Sequence, residues 1–311
     1  MTTFAQVVDA WRESAGSRQR NPLLPSTLKT DNSYLRRHIL PHIKDLELTE
    51  VDNEVLRNIL VPKWGEAGLS EQTQTNVFKT LAKVIRFAAD AKGRPLHKPD
   101  WNLAFADLPV VNKAEQKRPC YTAEQVTAIV ARAHREYRVL YALLAGTGMR
   151  VNEALALKVE DVGPSEIRVH GNLFEGKVYQ TTRTKKHDRI VDMVPQLADM
   201  VWTYIGDREV GWLFPTKFDT PMRRDNIAVD NLDKVLETLE IPTYYAFHAF
   251  RRFRAGWLKV NGVPSPLANA WMGWSSRTMY DHYSESASEW QGLRDEWSGK
   301  IGLGFELPEV L

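Results

Sequence analysis

Cysteine is almost absent from this chain: Cys120 is the only one in 311 residues. A lone thiol excludes an internal disulfide framework and any zinc site built on cysteines, and it suits a reducing compartment. Long apolar runs are missing as well. No stretch approaches the roughly 20 apolar residues that a membrane helix needs. The opening MTTFAQVVDAWRESAG lacks the basic-then-apolar layout of a secretory signal, so a cytoplasmic protein is expected. Neither sign of charge dominates, with 41 Lys+Arg against 39 Asp+Glu. The chain also has no Walker A loop, no Gly-x-Gly-x-x-Gly turn and no His-Glu-x-x-His helix, which removes the main support for ATP-driven and zinc-hydrolase chemistry.

What is present is ordinary in bulk and uneven in detail. The hydrophobic fraction is 43% and the charged fraction 26%, enough for packed cores, and the length suits two domains. Residues 1–118 carry 18 basic and 14 acidic side chains, residues 119–283 carry 21 and 19, and residues 284–311 carry 2 and 6. The excess positive charge therefore sits mostly in the first third.

That first third reads as helices only, because apolar residues recur at spacings of three and four. One helix buries Phe4, Val7, Val8 and Trp11, and a second follows Pro25-Ser26 with Leu28, Leu35 and Ile39 on one side. A third runs from Asp52 through Leu56 and Leu60 to end at Pro62, and the longest starts at Ser70 and carries Val77, Leu81, Val84 and Ile85. Residues 108–118 are polar, basic and without period, a linker by composition. Thr122 and Gln125 have capping-box spacing at the start of a new domain. Short β-branched runs at 166–170, 177–183 and 189–193 predict a small sheet among helices, and helical patterns return from Pro195 to about Ser286.

The chemistry-bearing residues come in a fixed order. Arg150 follows Gly146-Thr147-Gly148, with Glu153 three residues on and on the same helical face. His248 and Arg251 have the same spacing, Trp274 follows Met272-Gly273, and Tyr283 lies nine residues beyond Trp274. In this order, GTGMRVNEAL, a basic hairpin near Lys185, HAFR, MGW and the final tyrosine, the segments between about 120 and 285 resemble the tyrosine recombinase family of phage integrases and Xer-type recombinases.

The resemblance implies a mainly α fold with a small antiparallel β-sheet. It divides into a helical, SAM-like core-binding domain at 1–107, the linker at 108–118, a mixed α+β catalytic domain at 119–288 and a tail at 289–311. It implies a catalytic set of Arg150, Lys185, His248, Arg251, Trp274 and Tyr283, with Glu153 in support. Two guanidinium forks suit the nonbridging oxygens of a phosphodiester under attack, and an imidazole with a reference pKa near ~6.5 can take a proton at neutral pH. The nine-residue spacing favours Tyr283 over Tyr280 as nucleophile, while Lys186 and Arg183 compete with Lys185 at the hairpin. Two positions depart from the family pattern: Arg252 replaces a usual second histidine, and Asp192 a usual proline.

Such an enzyme needs no metal and no cofactor. Its partners are double-stranded DNA attachment sites and three further copies of itself on synapsed DNA, which a directionality factor can join. Lys29, Arg36, Arg37, Lys79, Lys83 and Arg86 lie on the two helices expected against DNA phosphates. Helices begin almost at residue 4, so no arm-binding domain is expected ahead of them. The acidic tail holds Trp290, Trp297 and Phe305 with too few apolar neighbours to fold alone, which predicts docking, and the resemblance implies that the surface belongs to a neighbouring protomer. The same chemistry also serves a supercoil-relaxing type IB topoisomerase, and a DNA-binding module that has lost catalysis is the non-enzymatic alternative.

Overall fold

The computed structural model of the chain describes residues 2–17, 23–112, 114, 118–180, 188–274 and 291–309. These form two compact units, Met1–Gln116 and Lys117–Leu311. Among the described residues, no helix is long and apolar enough to cross a membrane.

Up to Phe87 the first unit is built on helices, and residues 88–112 continue it without helix or strand. Helix α1 (Phe4–Ser17) is followed by α2 (Pro25–Tyr34) and α3 (Leu40–Ile43), which are fused through a π-helical turn at Leu35–Ile39. Helices α4 (Asn53–Val55) and α5 (Val61–Glu66) are fused in the same way through Leu56–Leu60, and α6 (Glu71–Phe87) follows. Pro62 therefore does not end its helix, contrary to the expectation from sequence. A proline inside a helix lacks its N–H and crowds the carbonyl four residues earlier. Here each wide turn directly precedes a proline helix segment, one holding Pro41 and the other Pro62, so the spacing of carbonyl and ring opens where the clash would fall. The Trp64 indole donates to the His38 carbonyl at 2.7 Å. Phe4, Trp11, Leu35, Ile39, Leu56, Leu60, Trp64 and Leu81 are fully buried together. The unit also extends into the segment expected to begin the linker: Leu108 is buried in this core, and the Asn112 N–H donates to Glu71 at 3.3 Å.

The second unit starts as expected, with Thr122 and Gln125 capping α7 (Ala123–Arg132) reciprocally. Helices α8 (Arg135–Thr147) and α9 (Val151–Ala154) follow. Among the described residues the small antiparallel β structure is two two-stranded ladders. Strand β1 (Glu166–Val169) pairs with β4 (Arg189–Asp192), and β2 (Gly171–Phe174) pairs with β3 (Lys177–Gln180). Strand β2, which opens on a glycine, has no β-branched run to announce it. Helices α10 (Pro195–Ile205), α11 (Arg224–Ile227), α12 (Asp233–Thr238), α13 (Ala246–Val260) and α14 (Ser265–Met272) enclose a second core. Phe250 of α13 lies 4.7 Å from the Tyr121 ring and 5.6 Å from the Tyr141 ring of α8, and this packing fixes the helix that carries His248 and Arg251.

The tail forms α15 (Gln291–Ile301) and lies on its own unit. Ile301 and Leu303 are buried, and Trp297, Phe305 and Leu307 pack on the core. The Trp257 indole donates to the Ile301 carbonyl at 2.8 Å and Arg254 to the Gly302 carbonyl at 2.9 Å, so a cation and an indole close the negative end of α15. Trp297 and Phe305 are thus partly covered within the chain. A segment too poor in apolar residues to fold alone is held here by charge pairs and a preformed surface. Trp290 lies outside the described residues.

Candidate active site

The site is assembled where three chain segments meet: the α8–α9 junction, one face of α13, and the end of α14. Gly148 closes α8 at φ +71, its N–H bonded to the Leu144 carbonyl. A side chain there would be strained, and its Cβ would sit 2.6 Å from the Met272 sulfur. The chain thereby turns sharply into Arg150, which stands at the start of α9. The Arg150 backbone N–H and its Nη1 both donate to Glu153, each at 2.8 Å. Its side chain keeps 40% exposure, so the guanidinium is open on one side to a ligand.

Arg251 projects from α13 into the same place. It is buried at 4% exposure, and it donates through Nη1 to the Gly148 carbonyl at 2.6 Å and through Nη2 to the Met272 carbonyl. These bonds clip the α8–α9 turn to the end of α14, and they leave N–H donors on the guanidinium for a further acceptor. Burial, then the nearby Arg150, lower Arg251 to about 10, which keeps it cationic at neutral pH. Trp274 stacks over it, with the guanidinium carbon 5.7 Å from the ring centre. His248, one helical turn before Arg251, is accessible. Partial burial, then Arg252, Arg251 and Arg150, hold it below its ordinary value, so the imidazole is neutral and able to accept a proton at neutral pH.

The structure thus brings together Arg150, Glu153, His248, Arg251 and Trp274. Lys185 and Tyr283 lie outside the described residues, as do their alternatives Arg183, Lys186 and Tyr280.

Two further residues also shape the site, one that the sequence reading passed over and one that it marked only as a departure. Arg189, at the start of β4, is buried and holds Glu153 from the other side, Nη2 to Oε2 at 2.8 Å and Nη1 to Oε1 at 3.3 Å. Its Nε donates to the Trp271 carbonyl at 2.9 Å. Burial alone raises a carboxyl pKa, yet the hydrogen bonds and charge of Arg189, followed by Arg150, override it and bring Glu153 to about 2. Gly273, at φ +60, is where Arg189 passes closest: a Cβ there would meet the guanidinium at 3.1 Å. Arg189 shares the inward face of β4 with Val191, while Ile190 faces solvent; with the apolar residue outside and the cation inside, alternation in the sequence gives no signal of it.

The second is Asp192, the residue in place of a proline. Its carboxylate accepts from the Trp271 indole at 2.6 Å and from Arg294 of α15, through Nε at 2.9 Å and Nη2 at 2.6 Å. Arg294 also donates to Glu166 at 2.7 Å. A proline could supply none of these acceptors, so the departure has a structural purpose in this chain. Arg252, the other departure, donates to the Pro119 carbonyl at 2.9 Å and is committed to holding the start of the unit.

A family model described as the phage integrase family matches residues 120–289, more than half of the chain. The chain belongs to the phage integrase family. With membership comes the class of reaction, DNA cleavage and religation by a tyrosine recombinase. A curated relative, the XerC-like tyrosine recombinase of Caldanaerobacter subterraneus subsp. tengcongensis, is 24% identical over 77% of this chain and 69% of its own. Among solved structures, the Tn1549 transposon integrase in complex with a circular intermediate DNA aligns with a TM-score of 0.68 at 16% identity, covering 93% of this chain and 100% of that one. A lambda integrase dimer bound to a core site aligns at 0.65 and 16%, covering 91% and 95%. At such identities these two matches establish the shared fold.

The basic residues of the first unit differ in exposure and partners. Arg36, Arg37, Lys79 and Arg86 are exposed, as is Lys29. Lys83 is not a free surface cation: its Nζ lies 2.6 Å from the buried carboxylate of Asp31, which also accepts from Thr80 at 2.9 Å. This pair ties α6 to α2.

Proposed function

We propose that this integrase-family chain is the site-specific recombinase of a phage or other mobile element. It cuts duplex DNA through a 3′-phosphotyrosyl intermediate and exchanges strands through a Holliday junction. The observation that carries this function is the convergence of two guanidinium groups, Arg150 and Arg251, with a neutral imidazole, His248, from segments about a hundred residues apart.

In the cleavage step the Tyr283 oxygen bonds to phosphorus and the bond to the 5′ oxygen breaks. His248 takes the tyrosine proton, and Lys185 gives one to the leaving oxygen. Arg150 and Arg251 donate to the nonbridging oxygens, where charge accumulates in the transition state. Because one ester replaces another, the reverse attack by a 5′ hydroxyl rejoins the strand without an external energy source. Trp274 covers Arg251 and excludes water from that side. Exposed cations of the first unit, Arg36, Arg37, Lys79 and Arg86 with Lys29, contact phosphates without choosing sequence. Four protomers on two attachment sites complete the exchange; a lambda integrase tetramer bound to a Holliday junction supports that assembly by analogy of fold.

The test uses a pool of nicked duplexes with a randomised core, from which covalent protein–DNA adducts are recovered under denaturing conditions. Adducts are expected with the wild-type chain and with Tyr280→Phe, and none with Tyr283→Phe. Loss in Tyr280→Phe alone moves the nucleophile to Tyr280. No adduct in wild type overturns the function.

A further inference from the structure

Glu153 presents a problem of charge. It is buried and ionised, and it grips Arg150, the accessible cation of the site. A lone carboxylate in that position would neutralise Arg150 and lower the attraction of the site for a phosphodiester. Arg189 answers it. Both side chains of the Arg189–Glu153 pair are 5% exposed, and the guanidinium faces both carboxylate oxygens. The Arg150–Glu153–Arg189 cluster therefore carries one net positive charge, and the one member with open solvent access is Arg150.

Geometry adds to charge. Through Nε, Arg189 also holds the Trp271 carbonyl at the end of α14, the segment that leads through Gly273 to Trp274. One side chain on β4 thus spans the support of Arg150 and the support of the indole that covers Arg251. We propose that Arg189 is a positioning residue for DNA cleavage. It neutralises Glu153 so that Arg150 can direct its charge to the scissile phosphate, and it fixes the end of α14 against that pocket. This role rests on the recombinase function proposed above.

Because the role depends on charge balance, it makes a prediction that loss of packing does not. Arg189→Gln keeps a donor near the Trp271 carbonyl but removes the compensating charge, and cleavage of the bound nicked pool is expected to slow about 100-fold. In that background Glu153→Gln removes the uncompensated carboxylate, and cleavage is expected to recover about tenfold. Arg189→Lys keeps the charge without the fork and is expected to cleave faster than Arg189→Gln. Adduct formation is measured in single turnover at saturating protein, with thermal unfolding followed for each variant and rates normalised to folded protein.

Cleavage by Arg189→Gln at the wild-type rate overturns the assignment. So does a double variant slower than Arg189→Gln, or equal rates for the Lys and Gln variants, since a purely structural arginine gives those results. Failure of the wild-type chain to form any adduct is a separate outcome: it overturns the recombinase function, and this role with it. Should Arg189→Gln not fold, Arg189→Lys compared with Arg189→Lys/Glu153→Gln decides the matter. With the charge retained, the second substitution is expected to give no recovery, and a recovery overturns the assignment.

Discussion

The two units treat charge in opposite ways. Among the described residues, the first buries one ionisable side chain, Asp31, and keeps its arginines at the surface. The second buries Glu153 and Asp192 together with Arg189, Arg251, Arg254 and Arg294. An exposed cation gains long-range, salt-sensitive attraction at little structural cost. A buried guanidinium is expensive to desolvate and persists only where carbonyls, carboxylates or a helix end satisfy it. In this chain the buried ones span segments distant in sequence: Arg251 joins the α8–α9 turn to α14, Arg189 joins β4 to α9 and α14, and Arg254 closes α15. Cations of the first unit suit attraction of a polyanion, and those of the second hold distant segments in a precise shape.

The sharpest way to break this contrast is to remove a buried arginine at the site. Arg251→Ala is expected to lower adduct formation by about 100- to 1000-fold, the usual range for loss of one oxyanion donor. It also lowers the melting temperature, because the Gly148 carbonyl and the turn lose their clip. A variant that melts early but cleaves normally when folded would leave Arg251 a structural residue only.

Next in size is the Asp192–Arg294 pair, buried on both sides, whereas in the Asp31–Lys83 pair of the first unit only the carboxylate is buried. Replacing Arg294 with Met leaves a buried carboxylate facing only the Trp271 indole, and breaking such a pair costs about 3–5 kcal/mol. Asp192→Leu combined with Arg294→Met is expected to regain part of that loss in chemical denaturation, since no charge is then stranded. Equal destabilisation by the single and double variants would show that the pair contributes packing alone.

How far the sequence reveals this arrangement follows from the range of the interactions. The helices of the first unit are legible because periodic burial and caps are local; their ends are less so, since the sequence carries the longest helix to about Gly93 where it stops at Phe87, and the misread end at Pro62 comes from a wide turn that no residue type announces. Arg150, Glu153, His248 and Arg251 stand out through short, ordered motifs. Arg189 and Arg294 do not, because each acquires meaning only from partners far along the chain: Glu153 is 36 residues from Arg189, and Asp192 is 102 from Arg294. A cation on a strand or an acidic tail looks like solvated surface until its partner is placed beside it.

A smaller effect separates the buried acid of the site by pH. Glu153 is held at about 2 in the folded chain against 4.5 ordinarily, so it adds stability above the ordinary value, and that contribution is lost as pH falls from 4.5 toward 2. The stability gap between wild type and Glu153→Gln, measured by urea unfolding, is therefore expected to be widest near neutrality and to narrow across that window. A gap that stays constant through it would mean that Arg189 and Arg150 do not hold the carboxylate ionised.

The smallest effects belong to the outer cations, and α6 offers an internal control. Lys79, Lys83 and Arg86 lie at positions i, i+4 and i+7, on one helical face. Removing one phosphate contact lowers the slope of log affinity against log salt by about 0.9, so Lys79→Ala and Arg86→Ala are each expected to reduce that slope by nearly one with unchanged melting. Lys83→Ala is expected to do the reverse. It strands the Asp31 carboxylate, with only Thr80 left to donate to it, at a cost of about 1–3 kcal/mol, while the salt slope stays close to that of wild type. If Lys83→Ala lowered the slope as much as its neighbours do, its ammonium must leave Asp31 for a phosphate on binding. A cation of the first unit would then serve both shape and attraction, and the division of labour between the units would fail at that position.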